Sequence, residues 1–271
     1  MTDGEDAATP ESDLAPRDNG RRKLLKFAVL MVAPIALFRG ASWIINQAAD
    51  DLRFIPVDDP PGFRRLSLIG STSSALDPFL GLAAPGEVDD PVAPIAEQDF
   101  CVALYGLRKL SPGVVPVALF SDYNCPNCEL LAEDLASLEA DGTVHLKRHE
   151  WPILGASSET SARAAIAAAR QGAYRIFARR LQRTSLVPTE EYLREVAHSA
   201  GIDADRLFAD MASDATTREL HTSAALVRRF AFPGTPALIV GRTIVVGTIW
   251  RATLEALIES ELSAGPPPGC Q

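Results

Sequence analysis

Two cysteines separated by two residues, Cys125-Pro126-Asn127-Cys128, are the residues here best placed by type and spacing to do chemistry. They follow a continuous apolar run, VVPVALF (114–120), and a short loop, Ser121 to Asn124. ELLAEDLASLEA (129–140) comes next, with Leu130, Leu131, Leu135 and Leu138 at helical spacing and Asp141-Gly142 as a stop. The pattern predicts a buried strand, a loop and a helix, with the CxxC on the first helical turn. Free N–H groups and the positive end of the helix dipole stabilise a thiolate there. Cys125, at the N-terminus, gains most and is expected to stay accessible; Cys128, one turn further in, is expected to be more buried. Pro126 suits the first turn, where a missing N–H costs little. Such a pair performs thiol–disulfide exchange: one sulfur is attacked and the other resolves the mixed disulfide.

A zinc site would need two more ligands at close spacing. Cys101 and Cys270 stand alone, and His145, His149, His198 and His221 are scattered, so we expect no metal and no cofactor. A purely structural CxxC bond closes too small a loop to restrain the unfolded chain much. Two readings lie outside exchange chemistry: soft-metal delivery through the two thiols, and an adaptor or chaperone whose CxxC is a stable disulfide. Cys101 and Cys270 either pair with each other in an oxidising compartment or stay a core thiol and a tail thiol.

The elements that must position the pair come from the rest of the chain. It has 271 residues, 26 basic and 35 acidic, for a net charge of −9, and 47% hydrophobic residues. The acidic balance argues against nucleic acid as a partner, and the length suits one sizeable domain with appendages. CVALYGL (101–107) reads as a short strand before the turn at 111–113. TVHLKRHEW (143–151) reads as another. ALIVG (237–241) and RTIVVGTI (242–249) read as a hairpin around Gly241-Arg242, and RATLEALIESEL (251–262) as a closing amphipathic helix. Residues 158–230 supply several helices, one opened at Pro188 and closed by Gly201, one capped by Asp203. Arg179, Arg180, Arg183, Arg228 and Arg229 read as solvated helix faces.

Upstream, residues 1–20 hold six acids and one Arg and read as a disordered acidic tail. Arg21, Arg22, Lys23 and Lys26 then precede the apolar run 27–38, the layout of an export signal or signal anchor over 21–45. The string from Arg21 resembles a twin-arginine pattern, although any basic flank contains Arg pairs. No cleavage site with small residues at both required positions is evident, which favours an anchor that leaves the remainder outside. Residues 46–99, rich in Pro, Asp and Gly, read as an irregular linker. Residues 265–271 read as a tail.

Four strings in order, FSDYNCPNC (120–128), EWPILG (150–155), SARAAIAAARQGAYRIF (161–177) and FPGTPALIVG (232–241), resemble the DsbA-like branch of the thioredoxin superfamily over about residues 100–264. The resemblance is strongest to members with a Phe-Pro-Ile-Leu-Gly string, where Trp151 here replaces the Phe. It implies an α/β thioredoxin fold with an inserted helical subdomain. It also implies a cis peptide at Thr235-Pro236, packed against the CxxC, whose backbone pairs with an extended substrate segment. Cys125 and Cys128 would be catalytic, supported by Pro126, Asn127, Thr235 and Pro236. Many relatives carry a buried acid six residues before the first Cys, where this chain has Leu119. Asp122 lies closer and is the candidate substitute, against the ordinary reading of a solvated loop acid. Pro126-Asn127 lacks the His of the strongest oxidants, so a weaker oxidant is expected.

The resemblance implies a thiol-disulfide oxidoreductase acting on cysteines of exported proteins. We expect a dithiol oxidase, with an isomerase or reductase, or a non-catalytic adaptor, as alternatives. A membrane redox partner would reset the pair. The expected location is the inner membrane with the domain facing the periplasm, or the periplasm itself after cleavage.

Overall fold

Strand residues that alternate between two buried layers build the centre of this protein. The computed structural model describes residues 52–70, 72–73, 95–107, 109, 111–182, 188–267 and 269–270. They include six strands, β1 (Phe54–Pro56), β2 (Arg64–Ile69), β3 (Val115–Ser121), β4 (Val144–Glu150), β5 (Ala237–Val240) and β6 (Thr243–Val246). The strands form one sheet in the order β1-β2-β6-β5-β3-β4. β3 runs parallel to β4 and antiparallel to β5, while β5 and β6 form the hairpin around Gly241-Arg242. On β5, Ala237 and Ile239 face one layer and Leu238 and Val240 the other. Burial on both faces is why the strand reads as an unbroken apolar run.

The described residues also form eight α-helices: α1 (Phe100–Tyr105), α2 (Pro126–Ala140), α3 (Ala156–Ala169), α4 (Tyr174–Gln182), α5 (Glu190–Ala200), α6 (Ala204–Met211), α7 (Asp214–Phe230) and α8 (Arg251–Ala264). Helices α1 and α7 cover one face of the sheet, and α2 and α8 the other. Helices α3 to α6 pack around a separate core of Ala164, Ala168, Phe177, Leu181, Leu193 and Leu207. Thr189, Asp203 and Ser213 cap α5, α6 and α7 by accepting from the backbone N–H three residues on.

Three expectations need correction. CVALYGL forms helix α1, not a strand. Phe100, Cys101, Leu104 and Tyr105 are buried together, a helical face too short for periodicity to separate from a strand. His149 Nε2 and His145 Nε2 on β4 lie 2.9 Å from the carbonyls of Leu104 and Tyr105, which ends the helix against the sheet. Residues 54–56 and 64–69, read as irregular linker, join the sheet as β1 and β2. Their charge hid them: Arg64 sits on a strand, yet its guanidinium binds the fully buried Glu261 at 2.7 Å and Thr243 Oγ1 at 2.9 Å. Arg229, read as solvated, pairs with Glu97 at 2.7 Å and covers the Phe100 ring. The expected tail 1–20 and the signal or anchor over 21–45 lie outside the described residues. Among the described residues no helix is long and apolar enough to cross a membrane.

Cys101 and Cys270 are joined by a disulfide across 169 residues of sequence, and both are buried. The bond ties the segment after α8 to α1. Replacing both by Ala should lower the unfolding free energy by about 2–5 kcal/mol, as expected for a long closed loop. Urea denaturation checks this; equal midpoints for variant and parent would show that the bond adds nothing.

Candidate active site

Phe120 on β3 pairs with Ala237 on β5. The chain leaves β3 at Ser121 toward the CxxC and enters β5 from Pro236, so both loops open at one end of the sheet on adjacent strands. The Thr235–Pro236 peptide is cis. Cys125 is the N-cap of α2, with extended backbone at φ −96° and ψ 107°, Pro126 follows in the first turn, and no side chain caps this end. Cys125 and Cys128 form a disulfide, with Cα atoms 5.4 Å apart. Cys128 is fully buried. Cys125, expected to be accessible, is only 3% exposed. Its sulfur is bonded to that of Cys128 at the head of α2.

Asp122 organises the loop before the pair and is not a solvated acid. It is 3% exposed. Its carboxylate accepts from Asn124 N at 2.7 Å, Ile153 N at 2.7 Å, Leu154 N at 2.9 Å and Ser158 Oγ at 2.6 Å. Two of these donors are amides of the WPILG string, which gives that string a physical purpose. Asn124 adds a bond from Nδ2 to Ser157 Oγ at 2.6 Å. Leu119, at the position where relatives carry an acid, is buried among the leucines of α2 and β5.

Sequence reasoning assigned no role to Glu150, at the end of β4. Its carboxylate accepts from Tyr174 Oη at 2.6 Å and Tyr123 Oη at 3.2 Å, so it steadies the loop two residues before Cys125. Burial pushes its carboxyl up to about 7, against the two tyrosine hydrogen bonds, which pull it down. His149 on the opposite face of β4 stacks on Phe120, and burial pushes its imidazole down to about 3. The signal that could have revealed Glu150 is a charged residue ending a strand and followed at once by Trp-Pro.

A groove of about 700 Å³ runs beside the CxxC, lined by Gly70, Asn127, Leu130, Thr248 and Trp250. Leu130 and Trp250 are exposed there, at 67% and 85%. A second cavity of about 320 Å³ is lined by Ala132, Ala136, Arg148 and Tyr174, with no residue of the CxxC. Among the described residues, no group of three or more His, Cys, Asp or Glu could hold a metal ion.

A mixed sheet that opens a CxxC helix and a cis-proline loop at one end defines a thioredoxin-like fold. The profile described as a DSBA-like thioredoxin domain matches residues 116–259. The chain belongs to that family and is a thiol-disulfide oxidoreductase. Its structure is similar to a thioredoxin-like oxidoreductase from Silicibacter pomeroyi, at 32% identity and TM-score 0.54, covering 60% of this chain and 98% of that one. It is also similar to the thiol-disulfide exchange protein alpha-DsbA2 from Wolbachia pipientis, at 24% identity and TM-score 0.54, covering 60% and 91%. The catalytic domain of Proteus mirabilis ScsC aligns at 21% identity and TM-score 0.52, covering 62% and 99%. The last two likenesses speak to fold alone. No curated protein sequence matches the chain.

Two variants test the loop. Asp122→Ala strands four donors and should cost about 3 kcal/mol of stability, read by chemical denaturation; a loss under about 0.5 kcal/mol would show that the donors find other partners. Glu150→Gln should gain stability relative to the parent as pH rises. Below about 4.5 the carboxyl is protonated in both states. Between there and about 7 the unfolded chain releases its proton first, so the parent loses up to about 3 kcal/mol, and above that the difference is flat. His149 works in the opposite sense, favouring the unfolded chain as pH falls below 6.5. The difference between variant and parent curves isolates Glu150; a difference independent of pH would refute the assignment.

Proposed function

We propose that Cys125 and Cys128 are the redox pair of a dithiol oxidase for exported polypeptides. The observation that carries this reading is their disulfide at the uncapped N-terminus of α2, beside the Thr235–Pro236 loop. A substrate thiolate attacks the Cys125 sulfur, and Cys128 leaves as a thiolate. The substrate's second thiolate then attacks its own sulfur in the mixed disulfide and releases Cys125. The substrate dithiol has lost two electrons and the enzyme pair has gained them. Free amides at the helix terminus stabilise the thiolate that results. A membrane redox partner takes up the two electrons and resets the pair.

Pro126 and Asn127 shape the turn between the sulfurs, and Thr235 offers its backbone to an extended segment. The exposed Leu130 and Trp250 give apolar side chains of that segment a surface. Export rests on the basic stretch Arg21 to Lys26 ahead of the apolar run 27–38, which holds the domain to the outer side of the inner membrane or releases it to the periplasm. An isomerase or reductase would use the same two sulfurs, starting from the reduced state.

Oxidation of a two-cysteine peptide should be lost in Cys125→Ser, whereas Cys128→Ser, offered a peptide whose single cysteine is held in an activated disulfide, should keep that peptide as a mixed disulfide on Cys125 and release the activating thiol. Unchanged turnover by Cys125→Ser would refute the redox pair. The reduction potential of the pair separates oxidase from reductase. With Pro126-Asn127 between the sulfurs it should fall between about −270 mV, the thioredoxin value, and about −120 mV, that of the strongest oxidants. A value at or below the thioredoxin figure would favour the reductase.

A further inference from the structure

The backbone of Thr235 is already paired, and its partner belongs to the same chain. Thr235 N–H donates to the Ser73 carbonyl at 2.8 Å, and the Thr235 carbonyl accepts from Ser73 N–H at 2.6 Å. The two residues form an isolated antiparallel bridge. Reciprocal bonding of this kind is the hydrogen-bonded pair of a β-ladder. Thr235 is fully buried and Cys125 is 3% exposed.

We propose that the segment carrying Ser73 is a built-in occupant of the peptide edge at Thr235, which a substrate must displace before its thiolate reaches Cys125. This rests on the reading of Thr235 as the docking edge. A strand added at an edge gains its affinity from main-chain hydrogen bonds, and both groups that Thr235 can offer are taken by Ser73. A second segment cannot pair there while Ser73 remains.

The path of the segment is built for the purpose. β2 is anchored along β6, and Gly70 N–H still donates to the Val246 carbonyl at 2.9 Å. Gly70 and Gly247 then pass at close quarters. A Cβ on Gly70 would lie 1.8 Å from the Thr248 carbonyl oxygen, and one on Gly247 2.3 Å from that of Gly70. Gly247 N–H in turn donates to the Pro236 carbonyl at 2.9 Å. Gly70, Gly247, Pro236, Thr235 and Ser73 are thus successive members of one run of contacts around the cis-proline loop. Gly70 also lines the groove that holds Asn127 of the CxxC. The occupant offers backbone groups but no sulfur, since Gly70 to Ser74 read GSTSS. It fills the edge without reacting. Among the described residues beyond Gly70, Ser73 and Thr235 are the one backbone pair in this hold, weak enough for a competing peptide to open.

Ser73→Pro removes the donor to Thr235 and leaves β2 in place. The readout is the rate at which an extended cysteine-containing peptide reduces the Cys125–Cys128 disulfide, beside the rate for dithiothreitol, which has no backbone to pair. We expect the peptide rate to rise about fivefold, for the loss of one competing hydrogen bond, and the dithiothreitol rate to rise less than about twofold. An unchanged or slower peptide rate overturns the proposal, and so does equal acceleration of both reagents, which would make Ser73 a plain cover. A measurement with residue 73 intact guards against misfolding of the variant. In the Cys128→Ser chain carrying the peptide on Cys125, the Ser73 amide should lose hydrogen-exchange protection while the Thr235 amide keeps it; a Ser73 amide still protected overturns the proposal. If Cys125→Ser still oxidises peptide, the redox-pair reading fails. If reduction depends on Cys125 but ignores Ser73, only the occupant fails.

Discussion

Phe120 opposite Ala237 is the pairing on which the arrangement of this protein depends. A slip of one residue between β3 and β5 would turn every β5 side chain to the other layer. Ala237 and Ile239 would enter the space that Leu238 and Val240 fill, and the reverse. Both layers are closed by helices, so neither can absorb the exchange. The same register brings Pro236 level with the end of β3, where the chain turns toward Cys125. Core packing and site geometry are therefore one constraint: what holds the strands in register also holds the two loops together.

From that frame the site is fastened outward by buried carboxylates. Asp122 ties the loop before Cys125 to the backbone of Ile153 and Leu154 and to Ser158 on α3. Glu150 ties Tyr123 on the same loop to Tyr174 on α4. The helical insertion thus supports the loop through hydrogen bonds as well as through its own apolar core. Buried acids tolerate this only because donors surround them. Asp122 has four. Glu150 has two, both on one oxygen, and its other oxygen has no hydrogen-bond partner, in keeping with a carboxyl held protonated up to near neutral pH.

What could be read from the sequence follows from how each element shows its burial. β3, β5 and β6 are apolar on both faces and stand out, α2 and α8 carry leucines at helical spacing, and α5 and α6 announce their ends with Thr189, Gly201 and Asp203. The CxxC was placed at its strand-to-helix junction by Pro126 and the leucines after it. β2 was hidden because its first residues are two arginines, and the buried Glu261 that makes Arg64 acceptable lies 197 residues away. α1 was hidden because six residues are too few to show a period. Asp122, Glu150 and Ser73 have roles made by distant partners, and local spacing carries no trace of those. The cis-proline loop was legible only through family likeness, since Thr-Pro by itself is an ordinary turn.

The two disulfides are nested, with Cys125–Cys128 lying inside the span closed by Cys101–Cys270. A chain whose cysteines were joined in the order of their synthesis would bond Cys101 to Cys125 and leave Cys128 for Cys270. Reaching the native pairing means that Cys101 stays unpaired until Cys270 has been made, or that an early bond is exchanged later. The maturation of this oxidoreductase is therefore itself a problem in disulfide sorting, solved by delay or by reshuffling, and the enzyme starts life as a client of the chemistry it goes on to perform.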